Sequence, residues 1–261
     1  MKLHRHVLVA VAVAAVAVAG SVAACSGAPA PSATPRSGSA SGRTAAAPAA
    51  SAPSAAPPSS VAIAAAAPKT AGDLKKALLT LSDLPSGFTL LPDASAKNGP
   101  KATSTDPKCA PFVRITNATV TPGTTASAMV SFTAGRAGPV VGESLDTFGS
   151  ASKAAAFAVA AKSAAAACHG VRLAVPGVGT SSMIVQVVNP PLYGKDPIAV
   201  RVTGIDGPLK NVELTMVSTD FGDTAVSLNF IAATRQDVEG ATRLAFEKAT
   251  KLLGDTGAAV S

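Results

Sequence analysis

The sequence has no tryptophan, one tyrosine and eight phenylalanines in 261 residues, and only 14% of it is charged. An ordinary soluble domain carries about 25% charged residues. The shortage is uneven. Residues 1–68 hold no acid and no aromatic, and their only bases are Lys2, Arg5, Arg36 and Arg43. Beyond residue 68, 18 bases face 15 acids, so the formal charge of +7 shrinks to a surplus of three. A nucleic-acid binder concentrates Lys and Arg on one face, among aromatics that stack on bases. Neither resource is present, and no nucleic-acid partner is expected.

Histidine and cysteine are equally scarce, at three each. His4 and His6 fall in the first zone, which leaves His169 alone in any folded domain. It follows a predicted helix, where a cation suits the carbonyl-rich end. One histidine and two cysteines do not make an ordinary zinc site, and no Gly-x-Ser-x-Gly elbow accompanies them. Ser150-Ala151-Ser152-Lys153 matches the Ser-x-x-Lys of serine acylases and Ser227-Leu228-Asn229 faintly echoes their second motif, but a following Lys-Thr-Gly is missing. Gly177-Val178-Gly179 lacks the third glycine of a nucleotide loop. The paired acids Asp220/Asp223 and Asp237/Glu239 keep a cell-wall hydrolase as the enzymatic alternative. No catalytic residue, metal or cofactor is assigned.

What the sequence does contain begins at its first residues. A short basic segment precedes 13 uninterrupted Val, Leu and Ala residues, 7–19. That is the length of a signal-peptide core and short of the roughly 20 residues a spanning helix needs. Val22-Ala23-Ala24-Cys25-Ser26-Gly27 follows and resembles the bacterial lipobox, with Val where Leu is commonest. The resemblance implies that residues 1–24 are a lipoprotein signal peptide and that Cys25 is diacylated. The protein is then expected on the extracytoplasmic face of the cell membrane, held by its lipid. Each buried methylene contributes about 0.8 kcal/mol, so two or three chains hold durably where one does not. Residues 25–68 read as a disordered tether: Ala, Pro, Ser, Gly and Thr dominate, with eight prolines from 26 to 68. As a coil it reaches roughly 35–40 Å. With Cys25 lipidated, Cys109 and Cys168 remain as an even pair in an oxidising compartment, and a disulfide is expected.

Residues 69–261 read as one globular domain. Thr70-x-x-Asp73 starts a helix whose Leu74, Ala77, Leu78 and Leu81 share a face. Ser82–Gly87 breaks it ahead of a strand at 88–91, and a loop carrying Cys109 follows. Alternation predicts strands at 126–134, 140–145, 183–188, 198–205, 212–217 and 225–232. An alanine-rich helix runs from the N-cap Ser150 to Cys168, and a last helix runs from Thr234 to Leu253, with Val238, Ala241, Ala245, Ala249 and Leu252 inward. Short turns between strands favour antiparallel pairing. The fold class expected is α+β, a largely antiparallel sheet with helices on one face.

The stretch Ala77–Phe88, the Phe148–Phe157 helix ending in Cys168, and the capped C-terminal helix together resemble the extracellular sensor-type domain of actinobacterial, mycobacterial-type cell-envelope lipoproteins and PknH-like receptor kinases. The resemblance covers roughly residues 72–254. It implies an antiparallel sheet with helices, a disulfide, and a sensing or binding role at the envelope, with one cysteine pair where the kinase version commonly has two. Function is therefore expected to be non-catalytic recognition of a cell-wall component, lipid or envelope protein. A carrier of lipid or cell-wall glycolipid is the alternative, distinguished by an apolar cavity. The segment Asn189–Pro197 holds the only tyrosine, and Tyr193, Lys195 and the nearby Arg201 are the candidate contact residues.

Overall fold

The computed structural model describes residues 67–92, 99–135 and 138–254. The expected signal peptide, the expected lipidation site Cys25 and the expected tether, as far as residue 66, lie outside the described residues.

Nine strands form one antiparallel sheet: β1 (Thr89–Leu90), β2 (Lys101–Thr103), β3 (Ala126–Thr133), β4 (Val140–Thr147), β5 (Gly170–Val175), β6 (Gly179–Val188), β7 (Lys195–Gly204), β8 (Glu213–Phe221) and β9 (Thr224–Ile231). Their spatial order is β1-β3-β4-β9-β8-β7-β6-β5-β2. Hairpins account for most neighbours. Only β4–β9 and the two edge pairings bring distant segments together. Four helices complete the domain: α1 (Ala71–Ala77), α2 (Ala110–Asn117), α3 (Ala151–Ala167) and α4 (Arg235–Leu253).

The helices cover both faces of the sheet, which corrects the expectation of one. Successive strand side chains point to opposite faces, and the core divides by parity. Ala199 of β7, Val217 of β8 and Leu228 of β9 are register partners and pack in one cluster with α1 and α4. Their chain neighbours Val200 and Met216 pack in the other, with α2 and α3. A sheet with one polar face would show polar residues at every second position. Here β4 is buried along both faces, with only Ser144 partly open. That double burial is the sequence signal for helices on two sides.

Local rules explain most helix ends. Thr70/Asp73 and Thr234/Asp237 form reciprocal capping boxes, and Ser150 caps α3 by accepting from Lys153 N–H. The first helix is shorter than its periodicity predicts. It stops at Ala77 because Leu78 turns extended and Leu79 N–H is taken by Glu143 Oε2 at 2.6 Å. Leu81 is consequently exposed, while Leu78 and Leu79 enter the core. On α4 the buried terminal leucine is Leu253, and Leu252 faces out.

Three elements were not expected. The predicted loop around Cys109 holds β2 and α2, and β5 follows the alanine-rich helix directly. The α2 segment is short, β-branched and carries Pro111, a poor intrinsic helix former. Tertiary contacts hold it instead. Phe112 is buried, Asn117 bonds both the N–H and C=O of Ala102 on β2 at 2.8 and 2.7 Å, and Cys109 is bonded to Cys168.

Candidate functional site

The α2–α3 side of the sheet is not filled. A cleft of about 290 Å³ lies between these helices and strands β5, β7, β8, β9 and β4. Its cause is legible in composition. Where α3 faces the cleft it presents Ala161 and Ala165, side chains too small to reach the sheet. Phe157, the one large residue of α3 in the cleft, is braced against Phe148 with ring centroids 5.2 Å apart. The disulfide joins the start of α2 to the end of α3, with the two Cα atoms 4.4 Å apart. The two helical walls are therefore tied together at one end.

The walls are apolar: Phe112 and Ile115 from α2, Leu173, Ile198, Val200, Leu214 and Met216 from the sheet. The floor is polar but uncharged. Ser218, Ser227 and Ser144 lie side by side on β8, β9 and β4 as register partners, with Asn229 one step along β9. Thr116 and Thr121 add hydroxyls from α2 and the loop after it. Among the described residues that line the cleft there is no Lys, Arg, Asp or Glu.

A buried carboxylate supports this floor. Asp146, 2% exposed, accepts from Ser127 Oγ at 2.6 Å, Thr121 Oγ1 at 3.0 Å and Ser144 Oγ at 3.3 Å. Burial raises its pKa, and the three hydroxyl donors oppose that rise. Thr116 Oγ1 is also committed, donating to Phe112 C=O at 2.9 Å. Ser218 and Ser227 share one hydrogen bond at 2.9 Å.

This sheet-and-helix fold is similar to a solved extracellular domain. That domain belongs to PknH from Mycobacterium tuberculosis: the two share 17% identity and a TM-score of 0.51, over 71% of this chain and 97% of the other. A Mycobacterium smegmatis protein described as the Rv0999 ortholog matches at 14% identity and a TM-score of 0.32, over 66% of this chain and 90% of that one. No protein-family model and no curated protein sequence matches. The similarity to the PknH domain concerns the fold.

Tyr193, Lys195 and Arg201 are not part of the cleft. Arg201 has the opposite parity from Val200, so it projects from the other face, where its Nε lies 3.1 Å from Glu213 as a half-exposed ion pair. The Tyr193 loop is fastened to β8: Thr219 Oγ1 donates to Tyr193 C=O at 2.6 Å and lies 3.2 Å from Lys195 C=O. Gly194 has φ +69°, and a Cβ there would sit 2.2 Å from that same hydroxyl. Only glycine permits this closeness. Leu192, at 89% exposure, is the loop's outermost side chain.

Most of the other candidate groups have structural partners; the exceptions are Asp220, whose buried Oδ1 has no hydrogen-bond partner among the described residues, and the exposed His169. Asp223 accepts from Lys69 and, at 2.8 Å, from Thr147 Oγ1; burial opposes its ionisation, but these donors and Thr224 outweigh it and keep its pKa low. Asp237 belongs to a capping box and Glu239 pairs with Arg235. Burial raises the pKa of Asp220, repulsion from Asp196 adds to it, and Lys195 offsets part. Ser150 is consumed as a helix cap, and His169 is an exposed residue just after α3. Among the described residues no three His, Cys, Asp or Glu side chains gather as a metal site, and no helix is long and apolar enough to cross a membrane.

The floor residues went unread in the sequence as a group. Their signal was polar residues at every second position in adjoining strands, Ser144 and Asp146 on β4, Ser227 and Asn229 on β9, with Ser218 alone on β8. Only strand pairing aligns them.

Proposed function

We propose that this chain is an exported envelope protein, anchored through Cys25 on a tether, whose domain recognises a small ligand by non-covalent binding in the α2–α3 cleft. The observation that carries this reading is the cleft itself: apolar walls, an uncharged hydrogen-bonding floor, and a rim cross-linked by a disulfide. Ligand sites commonly combine apolar lining with a few placed polar groups, in volumes of about 300–1,000 Å³. A cleft of about 290 Å³ is at the small end of that range. It suits one short chain or ring with its head group and favours a sensor or single-chain binder over a carrier of multi-chain lipids. The similarity of fold to the extracellular domain of PknH is in keeping with this reading. Among the described residues the lining holds no Asp, Glu, His, Lys or Cys beside its hydroxyls.

The test fills the cleft. Ala161→Leu adds apolar volume where the α3 wall is thin, a change that keeps or raises stability. Monolaurin, a single-chain neutral amphiphile, is titrated into the isotope-labelled protein while amide shifts of Phe112, Phe157 and Asn229 are followed. Saturable shifts in the parent that vanish in Ala161→Leu support the cleft. A Tyr193→Ala, Lys195→Ala double variant leaves them unchanged on this reading. If the double variant abolishes binding and Ala161→Leu does not, the contact surface is the Tyr193 loop and the cleft reading fails.

A further inference from the structure

The cleft's hydroxyls are not equivalent to free serines and threonines, and that difference specifies a ligand. A hydroxyl has one proton to donate and two lone pairs. Thr121 and Ser144 both donate to Asp146 Oδ2, at 3.0 and 3.3 Å, so their protons are spent there. Thr116 spends its proton on a backbone carbonyl of its own helix at 2.9 Å. Of the Ser218–Ser227 pair, one proton is used internally. Four of the five hydroxyl protons on the floor are therefore turned inward, and lone pairs are what remains for an occupant. Asn229 contributes a carboxamide with both donor and acceptor.

From this geometry we infer that the cleft selects a neutral amphiphile whose head group carries several hydroxyl donors, a polyol, glyceride or sugar type, on a single apolar chain or ring. An anionic head finds no Lys or Arg in the lining and faces lone pairs backed by Asp146. An ester or ether head without O–H groups covers the floor acceptors without pairing them, which is costly. The walls accept the apolar portion of any of the three, so discrimination rests on the floor. Asp146 touches no ligand in this scheme. It is a positioning residue that orients Thr121 and Ser144.

This inference rests on the cleft reading above, and the experiment separates the two. The lipid-free exported chain is titrated with three probes of one chain length: monolaurin, methyl laurate and sodium laurate, each below its aggregation concentration. Monolaurin is expected to bind at least about tenfold more tightly than the other two, the penalty for floor groups left unpaired. Ser144→Ala lowers monolaurin affinity and does not lower that of methyl laurate. Asp146→Ala removes both acceptor oxygens, frees the committed protons and brings the monolaurin to methyl laurate ratio to within about threefold. A merely structural role for Asp146 would weaken both probes alike and leave their ratio intact. Methyl laurate or laurate binding as tightly as monolaurin, with both sensitive to Ala161→Leu, overturns the hydroxyl selection and leaves the cleft as the site. Binding indifferent to Ala161→Leu overturns the cleft reading itself.

Discussion

Glu143 offers the sharpest physical test of this domain. It lies mid-strand on β4, in register with Val130 on β3 and Leu228 on β9, facing α1 and α4 with 1% of its surface exposed. One carboxylate oxygen accepts the Leu79 N–H at 2.6 Å, and the other has no hydrogen-bond partner among the described residues. Burial dominates and raises its pKa from 4.5 to about 7; the Leu79 bond and Lys248 act the other way, and Asp83 adds repulsion. Lys248 is itself neutralised by Asp83 at 2.6 Å, so it offers Glu143 little. The sign follows. The folded state holds a proton that the unfolded state releases, so Glu143 costs nothing below about pH 4.5. Stability falls as pH rises from there to about 7. Two and a half units at 1.36 kcal/mol each make the loss about 3 kcal/mol. Glu143→Gln keeps an acceptor for Leu79 and cannot ionise. Urea unfolding of parent and variant at pH 4.5 and pH 8 isolates this residue, because every other titrating group is common to both. The variant is expected to gain about 3 kcal/mol relative to the parent between the two pH values, or about 6–12 °C in melting temperature for a domain of this size. Parallel pH profiles for the two proteins would refute the buried-carboxylate argument.

Replacing both Cys109 and Cys168 by serine should cost about 4 kcal/mol, from a loop of 59 residues in the chain-entropy model. It should also weaken monolaurin binding, since the α2 wall loses its tie; equal stability of parent and variant in chemical denaturation would contradict the first part. Replacing Cys25 by alanine should move the protein from the membrane fraction to the soluble fraction and remove the acyl mass. Retention at the membrane with no mass change would exclude the lipid anchor.

The features legible in the sequence were those governed by neighbours in the chain. The Thr70-x-x-Asp73 and Thr234-x-x-Asp237 caps, the Ser150 start of α3, and the alternating β3, β7 and β9 all depend on interactions within a few residues. The antiparallel α+β class followed, because hairpin turns leave little choice of pairing. Tertiary structure decided what local preference could not. Leu78 and Leu79 leave a good helical pattern because a buried carboxylate on β4 captures a backbone N–H. Ala110–Asn117 becomes helix against its propensity because a disulfide and Asn117 anchor its two ends. Helices settle on both faces because the central strands bury side chains on both sides, Ala199, Val217 and Leu228 on one and Val200 and Met216 on the other. The cleft belongs wholly to this second kind. Its floor draws polar residues from three strands, one helix and the loop after it, each unremarkable in its own stretch of chain. Only the pairing of β4 with β9 places Ser144 beside Ser227, and only the alanines of α3, set across them, leave space unfilled.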